Sequence, residues 1–315
     1  IYNKNRIIRE INSYLNIPTI SQFLENNGQD IRTLYHSNNC WTSLKRAAGR
    51  IAYKDDVITK RLEKGMANLL HHNTVSFLHF IELFIDGSKQ YLDTKNYKYA
   101  LMLYYALFQD RLDKTGFASI YEALELIHKE MYSYFKQEIS EIISYLLAHL
   151  QLKTMPLGED VLPGLELYGC YTREEIFTLV GRQTEARKMQ GSVTGVFNLS
   201  ECNATLLFVT LNKSDKDFSP STQYNDYFIN EHYFHWQSQN TDSHQNNGGQ
   251  RYTKQADTQN KIILFVREEK KDGYGNTCPF HCFGLVEYMS SHDDFPMNIT
   301  WKLQQPAMAQ YVKAI

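Results

Sequence analysis

The chain has 315 residues, of which 43% are hydrophobic and 22% charged, and these fractions are ordinary for a globular protein of one or two domains. Its 33 basic and 35 acidic residues nearly cancel, which excludes a polycation that attracts nucleic acid through its overall charge. The longest apolar run, residues 99–108, is about half the length of a membrane-spanning helix, so we expect no membrane partner.

The cysteines and the first residues indicate the setting of the chain. Five cysteines are few, odd in number and scattered, which favours a reducing, cytoplasmic location over a disulfide framework. The sequence opens at Ile1 without a methionine and inside a helical pattern. We therefore expect a piece of a longer polypeptide.

Residues 1–153 are predicted to form an all-helical domain. Ser119 followed by Glu122 has the form of a capping box at the start of a helix. Behind it, apolar residues recur at three- and four-residue steps as far as Leu150, which predicts one long amphipathic helix or two helices in sequence.

The next segment, residues 154–164, contains two prolines and two glycines and is predicted to be a linker. One short helix follows, with Thr172 as its cap, Glu175 three residues on and Gly181 as its stop. A second domain is therefore predicted over residues 165–315.

After this helix the hydrophobic period changes to two, and aromatic and β-branched residues become frequent. The predicted strands are Thr205–Leu211, Tyr224–Ile229, Tyr233–Gln239, Lys261–Arg267, Phe280–Met289 and Asn298–Leu303. Six short strands with one or two small helices predict a strongly bent sheet or a small mixed β-barrel, so the fold class is α+β. The polar segment Asn240–Gly249 is predicted to be a mobile loop beside the strands.

Signals for catalysis or metal binding are weak. The sequence contains no phosphate-binding loop, dinucleotide glycine fingerprint, zinc-protease helix or nucleophile elbow. Cys278, His281 and Cys282 offer three ligands without a second pair, a pattern more typical of buried thiols. His71, His72 and His79 lie at helical spacing, where packed or surface histidines are commoner than ligands. We predict no catalytic residue, no metal and no cofactor in this chain.

The most informative segment is Phe234–Gln239, read with Thr222–Tyr227 before it. Rings alternate there with amide and carboxylate groups, and such a combination can stack on a nucleobase and identify its edge. If the two strands pair, Asp226 comes close to Trp236, where its carboxylate needs a donor from a ligand amine, a backbone amide or an arginine. The competing interpretation is a half-buried strand with a core tryptophan.

These segments also resemble a known family. The runs Leu207–Ser214, Phe218–Pro220, Tyr224–Tyr227, Phe234–Gln239, Gly249–Tyr252 and Leu264–Glu268 resemble a C-terminal domain that was long labelled of unknown function. That domain is appended to bacterial DEAD/DEAH helicases that often also carry a phospholipase-D-type nuclease. The nearest group is the SauUSI-like, ATP-dependent, modification-dependent type IV restriction enzymes. The resemblance covers roughly residues 168–303 and is weak before residue 150.

The resemblance implies a fold of the SRA or PUA-like type and binding of double-stranded DNA that carries 5-methylcytosine or 5-hydroxymethylcytosine, with the modified base flipped into an aromatic pocket. Residues 1–153 would couple this reader to the helicase and nuclease domains of the same polypeptide, which use ATP and Mg and lie outside this chain. A homodimer is possible. The predicted base contacts are Tyr224, Asp226, Tyr227, Trp236, Gln237 and Ser238, and the predicted DNA-backbone contacts are Arg251, Lys254, Arg187 and Lys188.

Two other interpretations remain open. A structural or protein-interaction module that couples a helicase motor to its partner domains would use the aromatic motif as core. A PUA-like RNA-binding module would use it as a stacking surface. The near-neutral charge favours the first of these, and the clustered polar and aromatic strands favour a nucleic-acid reader.

Overall fold

A computed structural model describes residues 3–158, 160–189, 194–213 and 225–312. The chain divides into two compact units. The helical unit contains Ile1–Lys153 and Glu174–Gln190, and the sheet unit contains Thr154–Arg173 and Gly191–Ile315. The periodicity change assigns residues 174–190 to the second domain, but these residues pack with the helical unit. Within the described ranges, no helix has the length and apolar character required to cross a bilayer.

Amphipathic helices build the helical unit around buried aromatic and aliphatic side chains. The helices are α1 (Lys4–Ser13), α2 (Ile20–Asn27), α3 (Trp41–Ala47), α4 (Val57–Gly65), α5 (Val75–Ile85), α6 (Tyr97–Phe108), α7 (Leu112–Thr115), α8 (Ile120–Leu126), α9 (Ser133–Ala148) and α10 (Arg173–Leu179). The apolar stripe after Ser119 is therefore two helices, α8 and α9. Ser119 accepts a hydrogen bond from the Glu122 backbone N–H as predicted, while the Glu122 carboxylate accepts from Ala118 N–H instead.

Two carboxylates of α9 bind the first turns of other helices. Glu138 is completely buried and accepts the backbone N–H groups of Trp41 and Thr42, each at 2.8 Å. Glu141 accepts the N–H of Ile20 at 2.8 Å. The first N–H groups of a helix have no partner within the helix, so these carboxylates supply acceptors that α3 and α2 need.

The sheet unit contains a small hairpin and one larger sheet. The hairpin pairs β1 (Met155–Pro156) with β2 (Glu166–Leu167). The other strands are β3 (Cys170–Tyr171), β4 (Val196–Leu199), β5 (Ala204–Asn212), β6 (Tyr227–Phe228), β7 (Tyr233–Gln237), β8 (Lys261–Glu269), β9 (Phe280–His292) and β10 (Asn298–Leu303).

The larger sheet is open rather than closed. Its strand order is β4-β5-β8-β9-β10-β7-β6, with β3 paired to β9, and among the described residues the terminal strands β4 and β6 do not pair. Only β5 and β8 run parallel; the other neighbours are antiparallel. The α+β class is confirmed, but the predicted barrel is wrong for this part of the chain, because no ladder joins the two edges.

The alternation of the strands decides which side chains form the core. One face of β7, β10 and β9 packs Phe234, Trp236, Trp301 and Val286 into the main hydrophobic cluster of the unit. The opposite face of β7 carries half-buried Tyr233, His235 and Gln237. We call this second surface the outward face.

The segment predicted to be a mobile loop, Asn240–Gly249, contains turns and then the start of a helix. Its last residues begin α11 (Asn247–Thr253), which Asn246 caps by accepting Gly249 N–H, and α12 (Gln255–Thr258) follows. A Cβ at Gly249 would lie 2.1 Å from Ser243 O and 2.5 Å from Met297 Sδ. Glycine therefore allows the helix to approach the sheet closely.

Candidate functional site

The two motif strands pair as the sequence predicts, but the second is longer than the first. β6 is antiparallel to β7, with Tyr227 opposite His235 and Phe228 opposite Phe234. Tyr224 lies outside the described residues. The antiparallel register places Tyr227, His235 and Gln237 on the outward face, and it turns Asp226, Trp236 and Ser238 inward.

Trp236 is a core residue. Its ring lies 5.2 Å from Tyr252 in an edge-on contact and 6.2 Å from Trp301, and only 5% of the residue is exposed. Both neighbours belong to the same hydrophobic cluster. In this conformation the indole has no open face on which a base could stack.

Ser238 is also buried and has a structural role. Its hydroxyl accepts the Met297 N–H at 3.0 Å, and its own N–H donates to Met297 O at 2.9 Å. These bonds extend the β7–β10 pairing by one residue. The hydroxyl is thereby used inside the protein.

Asp226 has its donors within the protein. One carboxylate oxygen lies 2.7 Å from Lys213 Nζ, and the other accepts the Gln237 N–H at 2.9 Å. Both charged side chains are almost fully buried. Burial raises the pKa of Asp226 above its usual value, and the nearby Lys213 charge partly offsets this rise. The protein itself therefore supplies the donors that the buried Asp226 carboxylate needs, and no ligand amine is required for this.

The outward face carries an exposed pair of rings. Tyr227 is 44% exposed and stacks on His235, with ring centroids 4.7 Å apart and ring planes at 14°. His235 Nδ1 lies 2.9 Å from the Asn225 carbonyl oxygen, which fixes the ring orientation. Among the described strands β6 ends the sheet, so this pair of rings lies at the edge of the sheet.

Amide and hydroxyl groups continue this surface across the sheet. Gln237 accepts Asn225 N–H at 2.6 Å and donates to Asn298 Oδ1 at 3.0 Å. In the next row of side chains across the sheet, His235 of β7 is paired with Thr300 of β10, and Thr300 with Ser290 of β9. Lys302 is exposed two residues further along the same face of β10. Aromatic, amide, hydroxyl and ammonium groups thus lie in adjacent rows.

The five predicted base contacts that the structure describes therefore do not form one pocket. Tyr227 and Gln237 lie on the outward face, whereas Asp226, Trp236 and Ser238 lie on the core side of the same strands. His235, Asn298 and Thr300 complete the outward face and were missed by the sequence analysis. Strand alternation groups His235 with Gln237, but the register that adds Asn298 and Thr300 comes from β10, some 60 residues later.

The predicted DNA-backbone residues are also dispersed. Arg187 and Lys188 belong to the helical unit, where their side chains donate to the carbonyl oxygens of Arg182 and Gln109. Lys254 is exposed at the end of α11 and donates to Gln250 Oε1 at 3.0 Å. Arg251 is half-buried, and its charge counteracts the burial that raises the pKa of Asp242. The predicted DNA-backbone residues are thus divided between the two units, two in each.

A shallow groove of about 260 Å³ lies elsewhere on the sheet unit. Its walls are mostly aliphatic, from the β1–β2 hairpin and the bend of β9 at Gly284, with the amides of Gln304 and Gln305 at one side. Phe283, the ring that lines it, belongs to the core cluster. The groove offers little flat aromatic surface for a base.

Within the described ranges, one group of side chains has the spacing of metal ligands: His71, His72 and Glu175 of the helical unit. Burial would raise the pKa of Glu175, but the neighbouring His71 and His72 hold it well below its usual range. Burial lowers the pKa of His72. His281, another candidate ligand in the sequence, lies instead with its Nδ1 2.6 Å from the Tyr311 hydroxyl oxygen.

Comparisons with known proteins bear on the sheet unit. Residues 165–314 match the family model of a domain of unknown function, DUF3427. The match spans just under half of the 315-residue chain and includes every residue of the outward face. A search among curated proteins finds no match to the chain.

Proposed function

We propose that the sheet unit binds double-stranded DNA containing a modified cytosine, with the outward face of β6, β7 and β10 as its contact surface. The observation that carries the proposal is the exposed Tyr227–His235 stack beside the Gln237–Asn298 amide pair. A ring of this kind stacks on any base, and the amides can donate to and accept from a base edge.

The resemblance to SauUSI-like restriction enzymes and the match to DUF3427 support this assignment. In the proposal the chain reads DNA and does not cut it. ATP, Mg and the nuclease belong to other domains of the parent protein, and the helical unit couples the reader to them. An SRA-like mode of reading, in which the base is flipped, belongs to the same proposal.

The proposal revises the roles of the motif residues. Tyr227 stacks on the base, and Gln237 contacts its edge. Trp236 and Ser238 hold the strand that presents them, and Asp226 fixes the end of the segment by its ion pair with Lys213. Lys302, which is exposed on the same face, contacts a phosphate in this proposal.

The test compares two tyrosines of equal exposure. Tyr227→Ala should weaken binding to a methylated duplex by about one to two decades, because a stacking ring contributes about 1–3 kcal/mol per base. Tyr274 is 43% exposed in the loop after β8, against 44% for Tyr227, so Tyr274→Ala is the matched control and should bind as the wild type does. Circular dichroism verifies that both variants are folded.

Binding is measured with methylated, hydroxymethylated and plain duplexes and with single-stranded RNA. Equal affinity of folded Tyr227→Ala and the wild type for methylated DNA would overturn the assignment of the face. Preference for the RNA would identify an RNA-binding module instead.

The second candidate is a structural module that couples domains without reading a base. The burial of Trp236, Ser238 and Asp226 favours it, since half of the predicted site holds the fold. This function predicts no binding to any of the four nucleic acids by a folded wild-type chain.

A further inference from the structure

A buried carboxylate in the helical unit faces two neighbouring imidazoles. Glu175 of α10 lies with Oε2 2.8 Å from His71 Nε2 and with Oε1 3.2 Å from His72 Nε2. The two histidines follow the 3₁₀ turn Met66–Leu69, and their ring centroids are 4.1 Å apart. The three ligand atoms all lie within 4.8 Å of one another.

Hydrogen bonding within the protein leaves His72 unsatisfied. Its side chain is completely buried, and neither ring nitrogen makes a hydrogen bond of acceptable geometry with the described residues. His79, in the same unit, differs: it is exposed and lies 2.6 Å from Glu82. A buried imidazole whose nitrogens make no well-formed hydrogen bond is costly, so a bound group that accepts the lone pair of Nε2 would remove the penalty.

The arrangement fits a divalent transition metal. Two imidazole nitrogens and one carboxylate form a common zinc ligand set, and ligand atoms around a tetrahedral zinc lie about 3.3 Å apart. Two of the observed separations, 2.8 Å to one Glu175 oxygen and 3.2 Å to the other, are close to this value, and the three ligand atoms lie within 4.8 Å of one another. We infer that His71, His72 and Glu175 bind one divalent transition-metal ion, zinc in the first instance, with the remaining position open to water.

The site is largely buried, because the side chains of His71, His72 and Glu175 are 16%, 0% and 10% exposed. The ligands are separated by 104 residues in sequence, so the ion would fasten α10 to the turn before α5. Closing so long a loop through a metal stabilises the folded unit.

The test uses the full 315-residue chain, stripped of metal by a chelator and then dialysed against zinc. Wild-type protein should retain about one zinc per chain by elemental analysis, and its thermal midpoint should rise by about 5–10 °C at zinc concentrations about a hundredfold above the dissociation constant. His72→Ala and Glu175→Gln should each weaken binding by at least about a hundredfold, since even outer-shell changes cost about 10–100-fold.

Two control variants separate this site from other ligands. His79→Ala removes an exposed histidine of the same unit and Cys278→Ser removes a half-buried thiol, and both should keep the zinc. Cobalt, used as a spectroscopic substitute, should give ligand-field absorption without a thiolate charge-transfer band. Wild-type protein that retains no zinc, or whose zinc is lost with Cys278→Ser, would overturn the inference. If the ligand variants fail to fold, equal thermal midpoints of metal-free and zinc-loaded wild type would also overturn it.

Discussion

Glu138 of the helical unit and Asp226 of the sheet unit are both buried carboxylates, and their hydrogen-bond donors differ in kind. In the helical unit, Glu138 accepts two backbone N–H groups at the start of α3. In the sheet unit, Asp226 accepts one backbone N–H and pairs with Lys213. Burial raises the pKa of both groups, and their donors offset part of that rise. Backbone donors cannot be removed by substitution, whereas a lysine can, so the two units should respond differently when the carboxylate is changed.

The largest effect is expected at Glu138. Glu138→Ala leaves the N–H groups of Trp41 and Thr42 buried without acceptors, which should cost the helical unit about 3–5 kcal/mol of unfolding free energy. Urea unfolding followed by the fluorescence of Trp41, in a chain with Trp236 and Trp301 replaced by Phe, measures this cost. Glu130→Ala, at an exposed position before α9, should change it by less than about 0.5 kcal/mol. A loss below about 1 kcal/mol at Glu138 would show that water replaces the carboxylate.

The stability lost by changing the Asp226–Lys213 ion pair should be recoverable by a second substitution, whereas the stability lost at Glu138 should not. Asp226→Asn removes the carboxylate charge that lies 2.7 Å from the buried Lys213 ammonium and should cost about 3 kcal/mol. Adding Lys213→Met removes the ammonium charge, while the amide oxygen of the substituted side chain would still accept the Gln237 N–H, so the double variant should regain most of the loss. A double-mutant cycle, monitored by Trp236 and Trp301 in a Trp41→Phe background, measures the coupling. If the stability losses of the two single variants add up in the double variant, the Asp226–Lys213 interaction itself contributes no stability.

A third comparison concerns close approach of the backbone. Gly249→Ala places a Cβ 2.1 Å from Ser243 O, a backbone atom that cannot move aside alone, and should destabilise the sheet unit by about 3 kcal/mol. Gly273→Ala meets nothing within 4 Å and is the control. That substitution should be neutral or slightly stabilising. Similar thermal midpoints for the two variants would contradict the tight α11 contact.

Sequence reasoning predicted the elements better than the site. The alternation of apolar residues located five strands within a few residues, because a half-buried strand has a period of two. The edge strand predicted at Tyr224–Ile229 shortens to Tyr227–Phe228 in the described residues. The segment Asn240–Gly249 looked mobile because its residues are polar, yet Asn246 caps a helix there.

The faces of the motif strands were also predictable, but their surroundings were not. Alternation separates Trp236 from Gln237, whereas the burial of Trp236 depends on Tyr252 and Trp301, which arrive from distant segments. The pairing of Glu175 with His71 joins residues 104 apart. Local spacing identifies Glu175 only as a capping residue, because it carries no information about such a contact.

The smallest expected effect is a pH dependence of the sheet unit. His281 of β9 lies beside Tyr311, and burial lowers its pKa to about 4. Burial raises the pKa of Tyr311, so its hydroxyl keeps its proton beside the neutral imidazole. The unfolded chain takes up a proton at His281 near pH 6.5, but the folded chain does so only near pH 4. Stability present above about pH 6.5 should therefore be lost as the pH falls toward about 4, by about 2 kcal/mol.

Urea unfolding of the sheet unit, monitored by Trp236 and Trp301 at several pH values in this window, measures the slope. His281→Gln should flatten it, while His232→Gln, at an exposed histidine of the same unit, should leave it unchanged. An equal slope in His281→Gln and the wild type would assign the pH dependence to other groups.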